Sequence, residues 1–148
     1  DERTPRYGHL VRRRRSSQEL AQQLPGVILF HTAAGPHDVF LLYKAASLVG
    51  RHDCVALVAD VLSDETGFGW SPDRSRYNEQ RAVLLEERGR PTLKRRVEAA
   101  IQTLQGVPQV ASDRLAVMGW CLGGHPVLEV AKLQHPAVRA LATFHGVF

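Results

Sequence analysis

Leu115-Ala116-Val117-Met118 runs directly into Gly119-Trp120-Cys121-Leu122-Gly123-Gly124, and a helical pattern follows from Gly123 to about Gln134. A short apolar run that ends at a glycine, with a helix starting two residues after the cysteine, predicts a buried strand, a very tight turn and a helix. The frame Gly-x-Cys-x-Gly at such a junction is the cysteine form of a nucleophile elbow. In that turn the reactive residue projects above the sheet. The flanking glycines let two backbones pass where a β-carbon would not fit. The glycines alone carry little weight, since a G-x-x-x-G frame is expected about 0.7 times by chance in a chain of this length at ordinary glycine usage. The strand before and the helix after carry the reading. Placed at a helix N-terminus, the Cys121 thiol would be favoured as thiolate. The Leu122 amide would face a developing oxyanion.

Working outward, Val27 to His31 and Cys54 to Ala59 are unbroken apolar runs bounded by turn residues, as buried parallel strands are. Asp38 is placed to cap a helix reaching Val49, with Gly50 ending it. A long loop follows from Asp60 to Asn78, with Phe68, Trp70 and Tyr77 embedded in it; loops of this size in compact domains more often serve a function than not. Helices are expected over Glu79 to Glu87 and from Pro91 to about Gln105. In the second, Leu93, Val97, Ala100, Ile101 and Leu104 share one face. Val138 to Phe144 reads as a further strand. Alternating strands and helices predict an α/β domain over residues 25–148, with a mostly parallel sheet covered by helices on both faces. Residues 1–24 read as a basic, polar, irregular arm with a short helix at Ser17 to Gln23.

The bulk composition excludes several classes. The 148 residues are 44% hydrophobic and 23% charged, ordinary for one globular domain. No apolar run reaches the ~18 residues of a membrane span, and the N-terminus has no signal-peptide core. Cys54 and Cys121 have no metal-ligand spacing and suggest free thiols in a reducing, cytoplasmic compartment. Cys54, mid-strand among valines, reads as core. The net charge of +4 gathers in Arg12 to Arg15 and in the group Arg88, Arg90, Lys94, Arg95 and Arg96. Without interleaved aromatics or a reading helix, both read as solvated faces rather than a nucleic-acid surface. No metal or cofactor is expected, and the oligomeric state is open.

With these residues in place, the chain resembles the dienelactone hydrolase family of the α/β-hydrolase superfamily from about Pro25 to Phe148. The resemblance rests on Gly26-Val27-Ile28-Leu29-Phe30-His31-Thr32-Ala33-Ala34-Gly35, on Val58-Ala59-Asp60-Val61, on Asp113 through His125, and on Phe144-His145-Gly146-Val147-Phe148. It implies a partial α/β-hydrolase fold and a Cys-His-Asp hydrolase of small-molecule carboxylic esters or lactones. By matching positions, Cys121 is the nucleophile, and Leu122 and Ala33 supply the oxyanion amides. Arg74, Arg76, Trp70 and His31 are the candidates for meeting the substrate. Two positions depart from the family pattern: Thr32 stands where an acidic residue is usual, which counts against dienelactone itself as the substrate, and Trp120 stands where tyrosine is usual.

In this fold the acid and then the histidine follow the nucleophile. After Cys121 there is no Asp, and Glu129 lies inside the nucleophile helix. His125, His135 and His145 each have a structural explanation, with His145 the one placed to reach the active-site mouth. The expectation is therefore a fragment of a larger hydrolase, inactive or nearly so by itself. Two other classes compete. A non-catalytic domain binding a ligand or partner would leave Cys121 no more reactive than an ordinary thiol. A basic-arm nucleic-acid binder would lose its affinity with residues 1–24.

Overall fold

The computed structural model describes residues 7–14, 16, 22–63, 67–85, 88 and 90–147. Its elements in chain order are β1 (Gly8–Val11), β2 (Leu24–Phe30), α1 (Val39–Arg51), β3 (Val55–Ala59), α2 (Ser75–Leu85), α3 (Pro91–Gln105), β4 (Val110–Trp120), α4 (Gly124–Leu133) and β5 (Val138–Phe144). They form an α/β unit around one mixed, mostly parallel sheet of order β1-β3-β2-β4-β5. β2, β3, β4 and β5 are parallel neighbours, and β1 joins β3 antiparallel. Phe30 stands opposite both Ala59 and Gly119, so the three central strands end level with one another.

The alternation of side chains divides the core between the two faces of the sheet. Ile28, Phe30, Leu57, Leu115 and Val117 pack against Leu93, Val97, Ile101 and Leu104 of α3 and Val127 and Val130 of α4. Leu29, Ala56, Val58 and Trp120 pack against Leu41, Ala45 and Val49 of α1. Every residue of β3 is buried, which is why its sequence is apolar throughout. α1 starts where expected: Asp38 Oδ1 accepts the Phe40 amide at 3.0 Å, and Oδ2 accepts the Thr32 hydroxyl at 3.3 Å. Asp38→Ala is expected to cost about 1 kcal/mol, read as a fall in the urea midpoint at unchanged slope.

Several boundaries differ from the sequence expectation. The arm is not irregular throughout, because Gly8–Val11 is a strand paired with Ala56 to Ala59. Its four residues show no apolar period. The exposed edge of β3 imposes the pairing. The expected helix at Ser17 to Gln23 falls mostly outside the described residues, and Gln22 and Gln23 are not helical. α2 begins four residues earlier than expected, after Asp73 caps the Ser75 amide at 3.2 Å. β4 extends well beyond Leu115 to Met118 on both sides, and α1 runs through Gly50 to Arg51. The second basic group is not wholly a solvated face either. Arg96 is buried and donates to the Val61 carbonyl at 2.6 Å, tying α3 to the segment after β3. Among the described residues no helix is long and apolar enough to cross a membrane.

Candidate active site

β4 ends at Trp120, a single 3-10 turn covers Cys121–Gly123, and α4 begins at Gly124. Cys121 sits at φ +53°, in the left-handed region that a side-chain-bearing residue enters at a cost of about 1–3 kcal/mol. The two glycines make that turn possible. A β-carbon on Gly119 would lie 2.1 Å from the Gly123 carbonyl oxygen. One on Gly123 would lie 2.4 Å from the Phe30 carbonyl oxygen and 3.1 Å from that of His31. The elbow therefore rests directly on the end of β2, and the loop that follows β2 stands beside it. Cys121 is a free, half-buried thiol; Cys54 is a free, buried one, and burial followed by the charge of Asp53 pushes its pKa up.

Two sets of backbone amides lie next to the elbow. Leu122 belongs to the first turn, whose N–H groups have no partner within the helix. The Gly124 amide turns back to the Cys121 and Leu122 carbonyls. In the loop after β2, the Ala34 amide donates to the Thr32 hydroxyl at 3.1 Å and the Gly35 amide to the Thr32 carbonyl at 3.2 Å. Ala33 lies inside this turn, and its amide takes no part in closing it.

The loop after β3 forms the rim. Gly35, at φ +90°, packs against Phe68, which lies edge-on to Tyr77 at 6.5 Å between ring centroids. Trp70 is 43% exposed and leans on Tyr77 at 5.9 Å. The Arg74 guanidinium lies 5.7 Å from the Trp70 ring, and that of Arg76 lies 5.7 Å from Phe68. Three expected substrate-binding residues are thus brought into one aromatic and cationic cluster. Tyr77, which sequence reasoning left as a loop aromatic, is at its centre. Burial, and then its proximity to Cys121, pushes the Tyr77 phenol up against the opposing pull of Arg81 and Arg74.

His31 is placed differently from the other candidates. It is fully buried, with Nδ1 2.6 Å from the Thr32 carbonyl and Nε2 3.1 Å from both Asp60 Oδ1 and the Val61 amide. Since a carbonyl only accepts, Nδ1 carries a hydrogen. Asp60 also receives the Leu62 amide at 2.8 Å, the Phe68 amide at 2.6 Å and the Ser63 hydroxyl at 3.1 Å. Burial opposes its charge, but His31 and these amides outweigh burial and hold the carboxyl below the usual carboxylate range. The pair fastens the rim loop to the ends of β2 and β3.

Among the described residues, nothing hydrogen-bonds Cys121 Sγ. His125, in the first turn of α4, is buried and presents Nδ1 to Arg90 Nη1 at 3.3 Å. A guanidinium only donates, so the proton of the neutral ring sits on Nε2, which has no partner among the described residues. Burial first, then Arg90 and Arg81, lowers the pKa of His125. Glu129, also buried, pairs with Lys132 at 2.7 Å and Arg90 at 3.8 Å. His145 is exposed, at φ +42°, in a segment that folds back on the elbow: the Val147 amide donates to the Cys121 carbonyl at 3.1 Å, and Phe144 stacks on Trp120 at 4.8 Å. No group of three or more His, Cys, Asp or Glu among the described residues is placed to hold a metal ion.

This geometry agrees with comparison to known proteins. The model of the dienelactone hydrolase family matches residues 14–148. The chain belongs to that family. Over 126 residues it is 33% identical to a probable 2-oxo-3-(5-oxofuran-2-ylidene)propanoate lactonase of a Bradyrhizobium species, covering 84% of this chain and 47% of that protein. Among solved structures, the dienelactone hydrolase fold is shared with m3DLH at TM-score 0.78 and 29% identity, covering 95% of this chain and 54% of that one. A dienelactone hydrolase-like promiscuous phosphotriesterase from metagenomic libraries superposes at TM-score 0.69 with 30% identity, covering 84% and 48% respectively. The chain thus spans about half the length of these relatives.

Proposed function

We propose that this chain carries the nucleophile and oxyanion site of a hydrolase that cleaves small carboxylic esters or lactones. The observation that carries the proposal is Cys121 at φ +53° between two glycines whose β-carbon positions are filled by backbone. Sγ attacks the carbonyl carbon, and the amides of Leu122 and Ala33 hold the negative oxygen of the tetrahedral intermediate. Its collapse expels the alcohol oxygen, which takes up a proton, and leaves an acyl-thioester that water cleaves. Trp70, Arg74 and Arg76 offer an aromatic face and two cations to the rest of the substrate. Thr32, in place of an acid beside the elbow, directs the site to a substrate other than dienelactone. Free thiols at both cysteines suit a reducing compartment.

The activating histidine and its acid belong, in this proposal, to chain outside these 148 residues, since none of the described imidazoles is bonded to Sγ. Mixed with an activated ester such as p-nitrophenyl acetate, the chain is expected to release at most one equivalent of nitrophenol. The acetyl group should be found on Cys121 by mass spectrometry, and Cys121→Ala should release none. Acetylation of Cys54 alone would remove the nucleophile assignment. Rapid multiple turnover lost in Cys121→Ala would place the base within the chain, and its further loss in His145→Gln would identify it.

A further inference from the structure

The end of the sheet opposite Cys121 collects six exposed arginines. β1 runs antiparallel to β3, so it delivers Arg12, Arg13 and Arg14 to the level where β3 begins. α1 runs back from the active-site end and delivers Arg51 there. The start of β2 is met by Arg114, whose Nη2 donates to the Gln23 carbonyl at 3.1 Å. At the start of β5, Arg139 Nε donates to the Asp113 carbonyl at 3.0 Å. All six side chains are exposed. At five strands spaced ~4.8 Å apart, the row crosses about 19 Å. Among the described residues, the acids at this end are Asp53, in a loose 3.6 Å pair with Arg13, and Asp113.

We infer that this end is a docking surface for an anionic lipid bilayer. Several ties hold the guanidinium groups in place: Arg12 to Gln109, Arg114 and Arg139 to backbone carbonyls. Their free N–H groups remain outward, in the planar form that suits phosphate oxygens. The arginines come from the ends of separate elements, so they form a broad patch rather than a ridge that enters a groove. The exposed aromatics Phe40, Tyr43, Trp70 and Phe144 lie elsewhere, so among the described residues no exposed Phe, Tyr or Trp stands here to stack on a base. Six basic side chains, each adding about fivefold near an acidic surface, match the size of cluster that recognises anionic lipid. Docked this way, the Cys121 end faces water.

The test is co-sedimentation of the full chain with vesicles of phosphatidylcholine alone and mixed with phosphatidylserine, with duplex DNA as competitor. Binding is expected to the mixed vesicles only, weakening as salt rises. Each arginine should contribute about fivefold, so Arg114→Gln with Arg139→Gln should weaken binding by about 25-fold. Lys94→Gln with Arg95→Gln, which removes the same charge from the first turn of α3, should change it by less than about twofold on the same scale. Circular dichroism confirms that both variants fold. Equal losses in the two double variants would reduce the effect to net charge. Absence of binding at low salt, or tighter binding to duplex DNA than to the mixed vesicles at equal salt, would overturn the lipid assignment.

Discussion

Gly119→Ala is expected to destabilise the chain by at least about 4 kcal/mol, beyond the 1–3 kcal/mol usual for overpacking. The added carbon would sit 2.1 Å from the Gly123 carbonyl oxygen and 2.6 Å from its carbon, and both belong to backbone. Relief requires β4 and α4 to separate at the elbow, which also pulls Gly123 off the end of β2. The same methyl at Gly50, inside α1, meets nothing within 4 Å. There it should stabilise by roughly 0.5–1 kcal/mol, because helix interiors prefer alanine to glycine. Urea unfolding of the two variants reads the difference directly. Midpoints shifted by equal amounts would show that the elbow is looser than its geometry. Any Gly119→Ala chain that does fold should also alkylate at Cys121 with altered rate, since the strained φ is lost.

Asp60→Ala is expected to cost about 3–5 kcal/mol, the range for removing one partner of a buried charged network. The loss leaves the amides of Leu62 and Phe68 and the Ser63 hydroxyl without their acceptor. Phe68 is the residue on which Gly35 packs, so the rim should detach from the elbow before the sheet melts. Hydrogen exchange at the Leu62 and Phe68 amides would report it. The pH dependence has a definite sign. The folded pKa of Asp60 lies below its unfolded value, so its contribution is complete above the unfolded value and is lost as pH falls through the folded one. In Asp60→Asn the acid limb of the stability curve should flatten. An unchanged limb would show that other carboxylates set the acid sensitivity.

What was legible in the sequence was local. Gly119 to Gly124 shows its turn within six residues, because the close approach that requires Gly119 is made by the turn's own Gly123. Asp38 is similar, bonding an amide two residues away. The parts that could not be read depend on distant partners. β1 has four residues and no apolar period, and exists because β3 has an edge to fill. The role of Asp60 is set by donors at Leu62, Ser63 and Phe68 and by a histidine 29 residues earlier. His31 was accordingly grouped with the residues that meet substrate, although both its nitrogens are turned to protein. One missed feature had a usable signal. Arg96 falls on the same helical stripe as Leu93, Val97 and Ala100, and a cation on a core stripe predicts a buried acceptor.

The placement of β2 between β3 and β4 also has a kinetic consequence. β2 pairs with β3 across a short separation in sequence, but its other edge waits for Leu115 to Gly119, about ninety residues later. Loop-closure entropy must be met before that central pairing returns anything, so refolding should be slow for a domain of this size. On the ribosome, Ile28, Leu29 and Phe30 present a bare apolar edge until β4 emerges. That interval, rather than the finished protein, is where aggregation competes most strongly.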